Sequence, residues 1–271
     1  MLAATPRPIQ TKISARKYGR KVRIMALIVA SGFTGTALPL NTAGPSLSPP
    51  DHLLKKIAQR EAESAAERSN YTYRQTVSVQ EFDDHNLPAG QYREVRDITF
   101  SPEKGRYETV SEAPRSTLKR IKLTPEDFAD IRNIQPFLLT TDQVPLYSMK
   151  YKGEETMDGA NCYVVYIEPR QILSTQRFFQ GLLWVRQSDF SVVRSEGQAV
   201  PQIETLKQQN LFPHFTTIRR EIDGKWFFPV ETYADDRLYF RSGPQRIRVT
   251  IRYAEYKRFG SHSIIQFNQP K

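Results

Sequence analysis

From Tyr71 onward the chain alternates. Tyr71, Tyr73, Val77 and Val79 stand between Thr72, Arg74, Thr76 and Ser78, the period of two that marks a strand with one buried and one wetted face. Comparable segments follow at 92–100 and 105–110, with turns expected at Pro88-Ala89-Gly90 and at 102–105. Further strands are expected at 147–151, 162–167, 182–185 and 226–230, and Asp158-Gly159 and Asp223-Gly224 are two-residue hairpin signals. Near the end, Ile247, Val249, Ile251 and Tyr253 alternate with Arg246, Arg248, Thr250 and Arg252, which predicts a strand with one solvated, basic face. Hairpin follows hairpin without regular strand-helix alternation, so the expected fold is mainly β and antiparallel.

Two helical segments interrupt that rhythm. Asp51 is the expected cap of a helix whose stripe is Leu53, Leu54, Ile57, Ala58, Ala62, Ala65 and Ala66, narrow and rich in alanine, as suits a helix lying on something larger. Thr124-Pro125-Glu126-Asp127 combines a cap, a first-turn proline and two acids at the positive end of the dipole, leading into Phe128, Ile131 and Ile134. The apolar Phe137-Leu138-Leu139 then follows Pro136, and 124–139 is a candidate lid. The runs 162–167, 182–185 and 226–230 are apolar at successive positions. Strands of that kind need cover on both faces.

Charge changes the picture less than its size suggests. The 271 residues hold 39 Lys+Arg and 29 Asp+Glu, a net of +10. Seven of the bases (Arg7, Lys12, Arg16, Lys17, Arg20, Lys21, Arg23) precede residue 37 with no acid among them, so the rest is only three positive charges from neutral. A nucleic-acid binder is therefore not expected. The basic stretch runs into Ile24–Phe33 and then Thr34-Gly35-Thr36-Ala37, the pattern of a signal peptide handled by the export machinery and cleaved after Ala37, with Ala43 as second choice. The alternative is an uncleaved N-terminal membrane anchor using Ile24 to Leu40. Either places the body in the periplasm or another extracytoplasmic space. The expected organisation is a signal peptide at 1–37, a linker at 38–50 and one β domain at 51–271. The single cysteine, Cys162, precludes an intramolecular disulfide and an all-cysteine zinc site.

Templates for catalysis find little. GxGxxG, phosphate-cradling, GxSxG and HExxH patterns are absent from the sequence. Ser116-Thr117-Leu118-Lys119 matches SxxK without its companion motifs, and His52, His85, His214 and His262 are scattered, with acids beside His85 only. Glu154-Glu155 and Asp235-Asp236 are adjacent in strands, so the members of each pair face opposite ways. Asn70-Tyr71-Thr72 is a glycosylation sequon in form only. The expectation is a protein that is not an enzyme and needs no cofactor or metal.

What stands out is aromatic content: 13 Tyr, 15 Phe and 2 Trp. Two readings remain open, an ordinary aromatic core or an open sheet wrapped around an apolar cavity lidded by the first helix and 124–139. On the second reading the lining residues are Tyr73, Phe100, Phe137, Leu139, Tyr147, Met149, Tyr163, Val165, Trp184, Trp226 and Phe228, and Arg246, Arg248 and Arg252 offer contact to anionic headgroups or a partner's acids.

Gly153, Met157-Asp158-Gly159, Tyr163-Val164-Val165, Leu183 to Asp189 with Val192-Val193-Arg194, and Ile222 to Pro229 together resemble periplasmic proteins of the LolA-like superfamily, which includes lipoprotein carriers and lipoprotein-sensing RseB-type regulators. The resemblance implies a half-open antiparallel β-barrel with helical lids that binds lipid or lipoprotein acyl chains without catalysis. Two departures stand beside it: extra sequence at 201–213, and no counterpart of an acyl-release arginine. An envelope interaction or sensor protein, docking a protein partner through a sheet edge or the arginine face, is the alternative.

Overall fold

Alternating side chains and Asp-Gly turns build a single large sheet. The computed structural model describes residues 48–101, 105–173, 176–204 and 209–259. The expected signal peptide and most of the linker lie outside the described residues. Helix α1 (Leu53–Arg68) leads into β1 (Tyr71–Phe82), β2 (Pro88–Ser101) and β3 (Gly105–Glu112). Helix α2 (Pro125–Asn133) and a 3-10 turn (Val144–Leu146) precede β4 (Tyr147–Met157), β5 (Ala160–Pro169), β6 (Phe178–Arg186) and β7 (Val192–Val200). The short pair β8 (Ile203–Glu204) and β9 (Gln209–Asn210) is followed by β10 (Phe215–Ile222), β11 (Trp226–Phe240) and β12 (Gly243–Arg258).

Ten strands form one antiparallel sheet in the order β3-β2-β1-β12-β11-β10-β7-β6-β5-β4. The last strand lies beside the first, and the sheet is curved but not closed, with β3 and β4 as its edges. Val77 and Val79 of β1 stand directly opposite Ile251 and Val249 of β12, and all four are buried, with side chains from both helices in the same core. The expected alternation is thus realised, and both helices cover one face. The two Asp-Gly turns also form, with positive φ at Asp158, Gly159, Asp223 and Gly224, the geometry that fits the twist of a hairpin.

Several local expectations are corrected. Pro88-Ala89-Gly90 is no turn but the start of β2, where a proline is tolerated. The turn is 83–87, closed by the Asp83 carboxylate, which accepts from the backbone N–H groups of His85 at 2.9 Å and Leu87 at 2.8 Å. Gly90 is required for a different reason: a Cβ there would lie 2.4 Å from the Thr117 carbonyl oxygen. Helix α1 is capped by His52 in the left-handed region, without a side-chain bond, and not by Asp51. Its buried face is Leu53, Ile57, Ala58, Glu61 and Ser64, rotated away from the alanine stripe because Glu61 points inward. Helix α2 forms as expected, with a reciprocal capping box between Thr124 and Asp127.

The doubly apolar strands find an unexpected kind of cover. Cys162, Val164 and Trp184 make a second cluster, on the face opposite Val165 and Leu183. Side chains, not another element, close it: the Trp184 indole N–H donates to Glu155 at 2.7 Å, and the Arg194 guanidinium lies 4.8 Å from the ring centre.

Candidate functional site

The inner surface of β1, β11 and β12 supplies the floor of an apolar cavity of about 330 Å³, contributed by Val79, Leu238, Ile247 and Val249. Its roof comes from three pieces of chain: residues 120–124, helix α2 through Asp127 and Ile131, and Leu211-Phe212-Pro213. Gln135 also lines it.

The roof is held to the sheet by a buried carboxylate. Glu81, fully enclosed at the end of β1, accepts from the backbone N–H groups of Lys119 at 2.5 Å, Arg120 at 3.0 Å and Ile121 at 3.1 Å. Three donors converge on one anion, so the charge is satisfied without a counter-ion. The guanidinium of Arg120 turns outward to Asp84 at 3.0 Å, leaving Arg120 and the exposed Lys122 at the mouth.

A second buried anion organises the helices. Glu61 accepts from Arg219 Nη1 at 2.9 and 2.8 Å, and Arg219 Nη2 donates to the Phe137 carbonyl. One guanidinium on β10 therefore joins α1 to the chain leaving α2. Asp130 of α2 is likewise buried, against Arg177 Nε at 3.0 Å. Burial pushes the Asp130 carboxyl upward against the pull of Arg177. Phe137 and Tyr147 border a more polar recess beside this pair. Among the described residues, no group of three or more His, Cys, Asp or Glu could hold a metal ion.

None of the eleven sequence-predicted cavity residues lines the apolar cavity. Tyr73, Phe137, Leu139, Tyr147 and Val165 are core residues, with Phe100, Met149 and Tyr163 packed against them. Their rings fill one another's space: Phe137 stacks on Phe179 at 5.0 Å, and Tyr73 meets Tyr256 at 5.0 Å. Burial lifts the Tyr147 phenol to about 12. Phe228 is buried against Tyr71, ring centres 5.1 Å apart. Trp226 lies beneath Arg60 at 4.5 Å, and Trp184 belongs to the opposite face. The lining combines strand residues such as Leu238, Phe240, Ile247 and Val249, which look like any core position, with residues of 120–135 and 209–213, Phe212 among them.

The structure places the three arginines of the basic face of β12 beside acids. Arg246 and Arg248 converge on Asp235, with nearest approaches of 2.8 Å each, and both lie over the Phe82 ring; Arg252 is 3.6 Å from Glu231. The neighbouring strand supplies the acids, since Asp235 pairs with Arg248 in register. Hydrogen bonds from Arg246 hold the Asp235 carboxyl down from 3.8 to about 2. A depressed carboxylate contributes stability above its unfolded pKa and loses it as pH falls through the folded one. Asp235→Asn is therefore expected to cost no more than about 1 kcal/mol at pH 7, given the solvent exposure. The difference from wild type should fade between pH 3.8 and about 2, as urea unfolding across that range would show.

Comparison with known proteins adds fold likenesses. No family model and no curated protein matches the chain. Among solved structures it is similar to a DUF1329 family protein from Desulfovibrio piger, at 14% identity over 78% of this chain and 93% of that one, with a TM-score of 0.36. It is also similar to a LolA superfamily protein from Nitrosomonas europaea, at 16% identity over 75% and 94%, TM-score 0.34. A third is a putative outer membrane lipoprotein-sorting protein domain from Vibrio parahaemolyticus, at 8% identity over 76% and 93%, TM-score 0.32. The LolA superfamily, which the hairpin signatures resemble, is thus among the solved structures similar to the chain, but likeness at these identities and TM-scores assigns neither family nor cargo.

Proposed function

We propose that the protein binds apolar chains of lipids or lipoproteins in an extracytoplasmic space, as a non-catalytic carrier or receptor. The observation that carries this reading is the cavity between the inner face of β1, β11 and β12 and its three-part roof. Walls that are apolar over most of their area suit a hydrocarbon chain, whose transfer from water gains about 25 cal/mol per Å². The LolA-like resemblance of the hairpin segments points the same way, and so does the basic, apolar leader read from the sequence. No helix among the described residues is long and apolar enough to cross a membrane.

The test is displacement of a fluorescent fatty acid, with native mass spectrometry of protein purified from its own envelope. A chain bound in the wild type and released by competitors supports the reading; no bound lipid and no fatty-acid binding overturns it. Leu238→Trp places an indole inside the cavity and should weaken binding by at least tenfold, roughly 1.4 kcal/mol. Its cost in stability is expected to be about 1–3 kcal/mol from overpacking.

A second reading, strand addition by a protein partner, is favoured by one feature. Edge strand β3 exposes Tyr107 and Val110 to 54% and 51%, apolar side chains at a sheet edge that could accept another strand. A stoichiometric cross-linked partner, lost when Tyr107 and Val110 are replaced by lysine, would support it over the cavity reading.

A further inference from the structure

Gln135 is a polar residue that the fold places at the cavity with its side-chain oxygen unpaired. Its backbone is fixed at both ends: the N–H donates to the Asp130 carbonyl at 3.0 Å, and the carbonyl accepts from the Thr217 hydroxyl at 2.7 Å. The side chain is buried. It is 2% exposed, it lines the cavity, and its Oε1 has no hydrogen-bond partner among the described residues. A buried amide oxygen left without a donor is destabilising, and a leucine of similar size would avoid that penalty. For a ligand made only of methylenes, glutamine is the wrong residue here.

Size gives an independent constraint. A volume of about 330 Å³ lies near the floor of the range for small-molecule sites, roughly 300–1,000 Å³, and suits one chain better than two or three. Past Arg120 and Phe240, which border both spaces, lies a polar vestibule lined by Asp84, Ser242 and Gln245. A polar head can rest there while its chain lies inside.

We infer that the cargo is a single-chain amphiphile whose chain carries a hydrogen-bonding group, a hydroxyl or an amide, that meets the Gln135 side chain. This rests on the cavity reading and narrows it to a ligand class. Hydroxyl and amide groups both donate and accept, so either end of the Gln135 amide is served. Selectivity follows from the asymmetry of buried polar groups: a plain chain leaves the Gln135 Oε1 unpaired, while a matched chain pairs it.

The experiment is calorimetric titration of the full chain with dodecanoic acid, a set of hydroxydodecanoic acids differing in hydroxyl position, an N-alkyl amide of equal length, and a diacyl phosphatidylglycerol. One hydroxylated or amide-bearing chain should bind about tenfold more tightly than dodecanoic acid, and the diacyl lipid more weakly than either. Gln135→Leu should erase that preference while retaining dodecanoic acid, with Gln135→Met in its place if the leucine variant does not fold. Equal affinities in the wild type, a preference that survives Gln135→Leu, or tighter binding of the diacyl lipid would each overturn the inference. If dodecanoic acid binds without any preference, only this inference falls. If no chain binds at all, the cavity reading falls with it.

Discussion

Replacing Arg219 by methionine is expected to destabilise the protein by about 3–5 kcal/mol, because it leaves the buried Glu61 carboxylate without its partner. Glu61 is 2% exposed and Arg219 1%, so neither charge can relax into solvent. The Phe137 carbonyl loses its donor in the same step, a further buried group without a partner. The double replacement Glu61→Leu with Arg219→Met should recover most of the loss, since removing both charges leaves no ion in the interior. Urea unfolding of the two single variants and the double variant completes a thermodynamic cycle. Additive losses would show that the pair does not act as a unit. The effect should reach the cavity, because Phe137 follows Gln135 by two residues. Arg219→Met should therefore also loosen whatever selectivity Gln135 confers.

That ion pair marks the limit of what sequence periodicity can reveal. The strands were legible because alternation is a local property. Tyr71 to Val79 and Ile247 to Tyr253 declare their buried faces, and Asp158-Gly159, Asp223-Gly224 and Thr124 to Asp127 carry their turn and cap chemistry within a few residues. Glu61, Glu81 and Arg219 declare nothing, since a buried charge is recognisable only by a partner that lies far along the chain. The rotation of α1 away from its alanine stripe follows from the same blindness. Neutralisation of Arg246 and Arg248 by Asp235 depends on cross-strand register, which a single strand does not disclose.

The aromatic residues and the cavity lie apart for a related physical reason. Aromatic residues are large and plentiful here, and large flat rings pack well against one another. Phe137, Phe179 and Phe215 do so, with neighbouring ring centres 5.0 and 5.8 Å apart, and leave little space between them. Room remains instead where Val79, Leu238, Ile247 and Val249 face a roof made of helix α2 and two irregular segments. A strand pattern identifies an inward residue but not whether anything fills the volume above it.

Exchanging Glu81 for glutamine is expected to raise that roof. The carboxylate presents two acceptor oxygens to three backbone N–H groups, one from Lys119 on Oε1 and two from Arg120 and Ile121 on Oε2. An amide keeps a single oxygen and puts an NH₂ where the other stood, so donors face donors on one side whichever way it turns. With the charge-assisted bonds lost and at least one buried N–H left unpaired, a cost of about 2–4 kcal/mol is expected. It should be felt locally first, since Glu81 takes three successive N–H groups of 119–121 while the ten-stranded sheet beneath has its own ladder. Hydrogen exchange should show the amides of Lys119, Arg120 and Ile121 losing protection while those of β1 and β12 keep theirs. Chain binding should weaken in parallel, because Ile121 and Leu123 leave the cavity wall with the roof. Unchanged protection at 119–121 would mean that the roof is held by its other contacts. Normal binding despite lost protection would separate the roof from the ligand and direct attention to the floor formed by Leu238, Ile247 and Val249.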